Sequence, residues 1–417
     1  MMTDSQYMQR ALELAALGGG WVNPNPQVGA VLVKDGRSIG EGYHARFGGP
    51  HAEREALASC EESPEHATLY VTLEPCSHTG KTPPCTEAII ASGISRVVTG
   101  SDDPNPLVAG GGIAQLRAAG IELTTGCRQV ECDRLNRIFF HFIQNKTPYT
   151  LLKYAMTADG KVATRSGASQ WITGEKARAD VHLLRGRYAA IMVGIGTVLA
   201  DDPLLNCRAP GGHNPLRVIC DSALRIPLDS QIARTAESLP TLIATLSTDA
   251  DKRRQLEALG LEVVVAAGEG TGSPVELDAG NHDRPDDKQN ADKDDGKYAG
   301  EEAGKNAEPG AKSNAGMSTC GGGERQQVNL PALMALLGGR GIDSVLLEGG
   351  SSLQGTALDA GVVHAVRCYI APKLFGGSAA PSPLGRSGVT TPDEAWNLVH
   401  TRVESFGDDL CMEGEVA

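Results

Sequence analysis

Two short stretches, His51-Ala52-Glu53 and Pro75-Cys76-Ser77-His78-Thr79-Gly80-Lys81-Thr82-Pro83-Pro84-Cys85, hold an imidazole, a carboxylate and two thiols. One imidazole and two thiolates are donors that zinc favours. Three protein donors leave a fourth position for water, the count of a catalytic rather than a structural site. Zinc brings the pKa of that water near neutrality. The chemistry expected of His51, Cys76 and Cys85 is therefore hydrolytic attack on an amidine-type ring carbon. The departing nitrogen needs a proton, and Glu53 is the residue expected to carry it. A closed structural site would need a fourth ligand, for which His78 is the nearest candidate.

For these side chains to converge, His51 and Glu53 must project from a helix start, toward a metal held by a strand-to-helix loop. The pattern supplies such elements: a helix at 52–59 and a strand at 68–73. Upstream, Thr3 or Asp4 can cap a helix whose Met8, Ala11, Leu12 and Ala15 recur at helical spacing. Gly18, Gly19 and Gly20 stop it, and 28–33 reads as a buried strand. Helices and strands alternate to about Asn145, as in a sheet sandwiched by helices. After Lys146-Thr147-Pro148 a second α/β series begins, with strands at 149–156, 190–193, 216–220, 241–245 and 261–265 and helices at 175–187 and 252–259. It resumes with a helix at 330–337 and strands at 344–347 and 365–370.

At 417 residues the chain exceeds what one core usually serves, so two domains are expected, residues 1–146 and 147–417. Residues 268–325 have almost no large apolar side chains and are expected to form a disordered insertion in the second domain. From Glu276 to Arg325 there are 12 acids against 7 bases, so the folded part is less acidic than the total of −13 implies. That balance, without a basic stripe, argues against a grip on long nucleic acid. It leaves room for a small phosphorylated substrate. No run approaches a spanning helix, and Met1-Met2-Thr3-Asp4 does not open a leader, so a cytoplasmic protein without membrane contact is expected. Cys60, Cys127, Cys132, Cys207, Cys220, Cys320, Cys368 and Cys411 have no usable spacing and read as reduced thiols.

His-x-Glu followed by Pro-Cys and a second cysteine resembles the zinc deaminase signature, except that eight residues rather than two separate the cysteines here. That long loop, with Asn23-Pro24-Asn25-Pro26-Gln27-Val28-Gly29, resembles the deaminase half of the bifunctional deaminase/reductases of riboflavin biosynthesis. Tyr154-Ala155-Met156-Thr157-Ala158-Asp159-Gly160-Lys161, Ser169-Gln170-Trp171, the run from Gly194-Ile195-Gly196-Thr197 to Asp201-Asp202-Pro203, and Leu347-Glu348-Gly349-Gly350 resemble the reductase half. The likeness implies a cytidine-deaminase-like three-layer α/β/α domain and a dihydrofolate-reductase-like α/β domain. The latter suits the absence of a G-x-G-x-x-G after a first strand. It implies deamination of a diaminopyrimidinone ribosylamine 5′-phosphate, then NADPH reduction of its ribosyl group to ribityl, in a homo-oligomer. A nucleic-acid base deaminase and a non-catalytic zinc-stabilised binding protein are the competing readings.

The resemblance puts the cofactor near Ala155, Trp171, Thr197, Asp201, Ser222, Gly350, Ser351, Ser352, Leu353, Gln354, Gly355 and Thr356. Substrate contacts would include Ser169, Arg185, Leu205, Arg208 and Glu348. Arg185 and Arg208 suit a ribose phosphate, since a guanidinium fork matches its oxygens. Lys153 lies in an apolar strand, where an unpaired charge is costly, and is expected to point into the same cleft. Gly349 and Gly350 precede a helix whose first amides could hold a phosphate, a plain tight turn being the alternative. Lys153, Asp201 and Glu348 are candidates for the proton donor of the reduction. By analogy Asn23 and Lys81 contact the deaminase substrate, with His44 and His78 as pocket walls or structural histidines.

Overall fold

The computed structural model describes residues 2–78, 83–105, 109–266 and 327–417. Lys81, Cys320 and the insertion expected at 268–325 lie outside the described residues. The larger of two compact units spans residues 1–268 and 328–417 and holds both sheets. Among the described residues no helix is long and apolar enough to cross a membrane.

The first half contains α1 (Asp4–Ala16), β1 (Gly29–Lys34), β2 (Arg37–Tyr43), α2 (Ala52–Ala58), β3 (Thr68–Leu73), α3 (Cys85–Ala91), β4 (Arg96–Ser101), α4 (Gly111–Ala118), β5 (Glu122–Thr124), α5 (Gln129–Leu135) and α6 (Arg137–Asn145). Its strands lie in the order β2-β1-β3-β4-β5, with β1 antiparallel to β2 and β3 and the last three parallel. Strand side chains alternate between faces. Val31, Val33, Tyr70 and Val98 therefore meet Met8 and Ala11 of α1 and Cys132 of α5. Ala30, Leu32, Leu69, Val71 and Val97 face the other way, against Ala52 and Ala56 of α2, Ile89 of α3 and Leu116 of α4. This is the three-layer α/β/α domain that the sequence led us to expect.

Strand β2 was not foreseen, because Gly40 and Gly42 interrupt any apolar alternation across it. They are glycines for a packing reason: a Cβ on Gly42 would run into the Ala56 amide and the Ala52 carbonyl, so only glycine lets α2 lie this close. Gly29 plays the same part on the opposite face, where a Cβ would collide with the Ala11 carbonyl and lie 2.7 Å from the Ala15 amide nitrogen. Those are backbone atoms that cannot rotate away. Gly29→Ala is expected to destabilise the first half by about 2–3 kcal/mol, the usual cost of overpacking. A fall in its calorimetric unfolding midpoint checks this; an unchanged midpoint means α1 can slide.

The second half contains β6 (Tyr149–Thr157), α7 (Glu175–Arg187), β7 (Ala190–Gly194), α8 (Ile195–Asp201), β8 (Leu216–Cys220), α9 (Gln231–Arg234), β9 (Thr241–Thr245), α10 (Ala250–Glu257), β10 (Glu262–Val265), α11 (Leu330–Gly339), β11 (Ser344–Glu348), α12 (Ser351–Asp359), β12 (Ala365–Ala371), β13 (Leu398–Phe406) and β14 (Asp409–Val416). The sheet order is β10-β9-β8-β7-β11-β6-β12-β14-β13, parallel from β10 to β12 and closed by two antiparallel strands. Leu152, Met192, Val218, Leu242 and Leu347 pack against α11 and α12. Ile191, Val193, Ile219 and Ile243 pack against α8, α9 and α10. The β13–β14 hairpin was not foreseen, because β13 is an edge strand with most of its residues exposed and no apolar period to read.

The halves share a core. Ile138 of α6 packs with Tyr149, Leu151, Leu346 and Ala365. Nearby, Arg137 Nη1 meets Glu413 Oε1 of β14 at 2.9 Å.

Candidate functional site

His51 is the N-cap of α2, which places Glu53 in that helix's first turn. Cys85 opens α3, and Cys76 lies on the loop that leaves β3. The ends of two helices and a strand thus deliver one imidazole and two thiols to one point. His51 Nδ1, Cys76 Sγ and Cys85 Sγ lie within 4.8 Å of one another, the first being 3.5 Å and 3.4 Å from the two sulfurs. A tetrahedral zinc with ordinary Zn–N and Zn–S bonds needs N···S edges of about 3.6 Å. The three donors fit it. His78 does not join this cluster, which speaks against a four-ligand structural site.

The thiols are poised as ligands. Pairing with the Cys85 thiol, then with His51 and the Cys85 amide, brings the Cys76 thiol down to about 4 against the pull of burial. The same pairing, with burial, pushes Cys85 up. Metal binding favours the thiolate form of both. The Cys76 partner raises His51 in turn. Behind them Glu74 accepts hydrogen bonds from the Gly110, Gly112 and Ile113 amides at 3.0, 3.0 and 3.1 Å. Gly112 lies so tight on Pro75 that a Cβ there would strike its carbonyl. The loop bearing Cys76 is thereby braced against α4.

These residues open on a cavity of about 260 Å³, lined by Asn25, His44, Phe47, His51, Glu53, Cys76, His78, Asp103, Asn105 and Phe139 among others. Glu53 is 4 % exposed, and burial raises its carboxyl above the usual range while His51 pulls it down. His44 contacts Asn25 Nδ2 through Nε2 at 3.1 Å and the Pro50 carbonyl through Nδ1 at 2.9 Å. Those partners suit the neutral ring, and burial lowers its pKa. Asn23 does not line the cavity. It is buried, and its amide donates to the Arg187 carbonyl at 3.0 Å, tying the first half to the second. Asn25, two residues on in the same quoted motif, is at the wall instead. Asp103, lifted to about 6 chiefly by burial, and Asn105 were not singled out from the sequence.

In the second sheet β8, β7, β11 and β6 are consecutive parallel strands, and their carboxyl ends gather the residues expected around the cofactor. Ser222 follows β8, Thr197 lies just beyond β7, Gly350 just beyond β11, and Ala155 near the end of β6. Open α/β sheets bind ligands at such an edge. The Gly350 turn lies against the Gly194–Thr197 turn, a Cβ on Gly350 coming 4.0 Å from Thr197 Oγ1. The stretch after it divides by burial. Gly350 and Ser352 are exposed at the start of α12, with Ser351 and Leu353 half-buried. Gln354 is buried and donates to the Gly349 carbonyl at 2.6 Å, fixing the turn. Gly355 packs under the Gly385 carbonyl, and Thr356 donates to the Ser352 carbonyl at 2.9 Å. Trp171 is exposed beneath the Arg178 guanidinium, and Ser169 Oγ is 3.4 Å from Asp201 Oδ1.

Glu348, at the end of β11, gathers the charged residues. Arg185 gives it Nε and Nη2 at 2.8 and 3.0 Å, and Lys153 Nζ lies 3.6 Å away. The trio is largely withdrawn from solvent, with 13–14 % of each side chain exposed, so desolvation lowers Lys153, while Arg185 and Lys153 hold Glu348 at about 2 in spite of it. Lys153 therefore points toward Glu348 and Arg185. The Arg185 fork is already occupied, with Nη1 3.3 Å from the Asn206 carbonyl, whereas Arg208 is exposed. Leu205 is 3 % exposed within the core under α8 and α9, so its side chain is turned from the cleft.

Residues 1–101 match the model of the cytidine and deoxycytidylate deaminase zinc-binding region, and residues 148–279 and 296–412 match that of the RibD C-terminal domain. The riboflavin biosynthesis protein RibD of Actinobacillus pleuropneumoniae is 47 % identical over 412 residues, covering 99 % of this chain and 95 % of that one. Its counterpart in Escherichia coli is 36 % identical over 425 residues, covering 99 % of both. Among solved structures, Acinetobacter baumannii RibD superposes with a TM-score of 0.77 at 31 % identity. A Thermotoga maritima protein described as a diaminohydroxyphosphoribosylaminopyrimidine deaminase/5-amino-6-(5-phosphoribosylamino)uracil reductase does so with 0.74 at 35 % identity; each alignment covers 99 % of both chains. With a deaminase half and a reductase half matched along nearly its whole length, the chain belongs to the RibD family of bifunctional riboflavin-biosynthesis enzymes.

Proposed function

We propose that residues 1–146 use zinc to deaminate 2,5-diamino-6-(5-phosphoribosylamino)pyrimidin-4(3H)-one. Residues 147–417 then use NADPH to reduce the ribosyl group of the resulting 5-amino-6-(5-phosphoribosylamino)uracil to ribityl. The observation that carries the first step is the convergence of His51, Cys76 and Cys85 at tetrahedral edge distances, beside a buried Glu53, at the wall of a cavity of about 260 Å³. The wide cysteine spacing and the absence of a basic stripe favour this small substrate over a nucleic acid.

Held by those three donors, zinc supplies an activated water at neutral pH. Glu53 takes up the water's proton and returns it to the departing nitrogen, which leaves as ammonia; burial raises its affinity for that proton. His44, held neutral, and Asn25 fix one wall against the ring. In the second half a nicotinamide supplies the hydride. The exposed amides at the start of α12 and the Thr197 turn are placed to hold its phosphate groups. Ser169 and Asp201 are paired at 3.4 Å on the surface of that half. Among the three candidates for the proton donor, Glu348 is ionised at neutral pH and Asp201 is exposed. Lys153, lowered by burial, is the one suited to give a proton. Arg208 is the stronger partner for the 5′-phosphate, because Arg185 spends its fork on Glu348.

The test follows ammonia release and nicotinamide absorbance separately. A strong zinc chelator is expected to stop ammonia release from the diaminopyrimidinone phosphate and to leave NADPH oxidation intact on the pre-deaminated uracil. Ammonia release that survives complete removal of metal overturns the first half of the proposal. Absence of NADPH oxidation on the deaminated substrate overturns the second.

A further inference from the structure

The loop at Asn206–Arg208 is clamped onto α7 at one residue that the reaction scheme above leaves out. His182 lies one helical turn before Arg185. Its main-chain carbonyl accepts from Cys207 Sγ at 3.1 Å, and its ring receives Arg208 Nε on Nε2 at 3.1 Å. The Arg208 amide is a second donor aimed at the ring, 3.3 Å from Nδ1, and of the two the shorter contact assigns the accepting lone pair to Nε2. The ring is half-buried while Arg208 is exposed. A neutral imidazole has one acceptor nitrogen, and a guanidinium carries five donors. Using Nε on His182 leaves both terminal amino groups for oxygens of a ligand.

We propose that His182 is a positioning residue of the reductase site: its neutral ring accepts the Nε–H of Arg208 and so holds that guanidinium ready for the 5′-phosphate of the substrate. The inference rests on the reading of Arg208 as the phosphate partner. An exposed arginine samples many rotamers, and ordering it on binding costs affinity. A tether that removes this freedom beforehand strengthens binding without new contacts to the ligand. The Arg185 and Arg208 guanidiniums repel the ring's protonated form, so the arrangement itself keeps His182 an acceptor. The groups that face it are Arg185 on its own helix, Cys207 and Arg208 on the loop, and Glu348 on β11.

The experiment compares His182→Ala, His182→Gln and Arg208→Ala on the phosphorylated uracil substrate and on its 5′-hydroxyl counterpart, with deaminase activity of the same preparations as the folding control. Glutamine can place an oxygen where Nε2 stood. His182→Ala is expected to raise the reductase KM for the phosphorylated substrate about tenfold, with a smaller change in kcat. The KM of the 5′-hydroxyl substrate should hardly move, and His182→Gln should recover most of the loss. Acidification should raise the wild-type KM more steeply than that of His182→Gln, because protonation turns the acceptor into a donor facing a donor. If Arg208→Ala raises KM selectively for the phosphate and His182→Ala does not, His182 has no positioning role. If Arg208→Ala itself shows no phosphate selectivity, the reading beneath fails and this inference fails with it. Equal losses on both substrates, or no rescue by glutamine, would mark His182 as a packing residue only.

Discussion

Glu53→Gln is expected to lower the deaminase kcat by about a hundred- to ten-thousand-fold, the range that a positioned proton carrier supplies. Glutamine keeps the shape and burial of the side chain but cannot shuttle a proton. The three metal donors are themselves unchanged, since Glu53, although its carboxyl faces the Cys85 thiol, is not one of them. Zinc per chain should therefore stay the same, as should NADPH oxidation in the second half. Losing a buried carboxyl whose ionised form is penalised by desolvation should not unfold the first half either. Three readouts thus separate the outcomes. A kcat within a few-fold of wild type means that another group moves the proton, and loss of zinc together with activity means that the carboxylate supports the metal instead.

Why Glu53 could be picked out of the sequence, and other residues could not, follows from how each reaches its place. His51 and Glu53 are two positions apart, so one helix start decides where both go. Cys76 and Cys85 are joined by a single loop between β3 and α3. Their convergence needs only local structure. Asn25, Asp103 and Asn105 reach the cavity from separate segments, and only the assembled sheet makes them neighbours. The Arg185–Glu348 fork joins residues 163 positions apart, so an arginine that reads as a phosphate grip is already partnered. Leu205 and Gln354 show the limit of a carried-over motif: both fall within expected contact stretches, yet burial turns their side chains inward. Strands β1, β3 and β6 announced themselves as apolar runs, whereas β2 was hidden by the glycines its helix demands and β13 by its exposure at the sheet edge.

Glu348→Gln carries the largest expected effect in the second half. In the wild type one carboxylate serves two cations, Arg185 at 2.8 Å and Lys153 at 3.6 Å, each side chain only 13–14 % exposed. Removing one partner of such a set leaves charge uncompensated and costs about 3 kcal/mol or more. The calorimetric midpoint of that half should fall by roughly 6–12 °C, taking the usual 2–4 °C per kcal/mol for a body of this size. The sign of the pH dependence is fixed by Glu348's depressed pKa of about 2 against an ordinary 4.5. Its stabilising contribution is complete above the unfolded-state value and disappears as the pH falls toward the folded-state value. The stability gap between wild type and variant should accordingly narrow by about 2 kcal/mol between pH 7 and pH 3. Reductase kcat/KM should also drop about a hundredfold, because Lys153 and Arg185 lose the group that orients them. Stability and activity are then separated by replacing all three charges together, with Glu348→Leu, Lys153→Met and Arg185→Met in one chain. Well-packed apolar residues can restore the stability of a buried ionic set. A stable triple variant without reductase activity assigns the trio to the reaction, whereas one that recovers both assigns it to the fold alone.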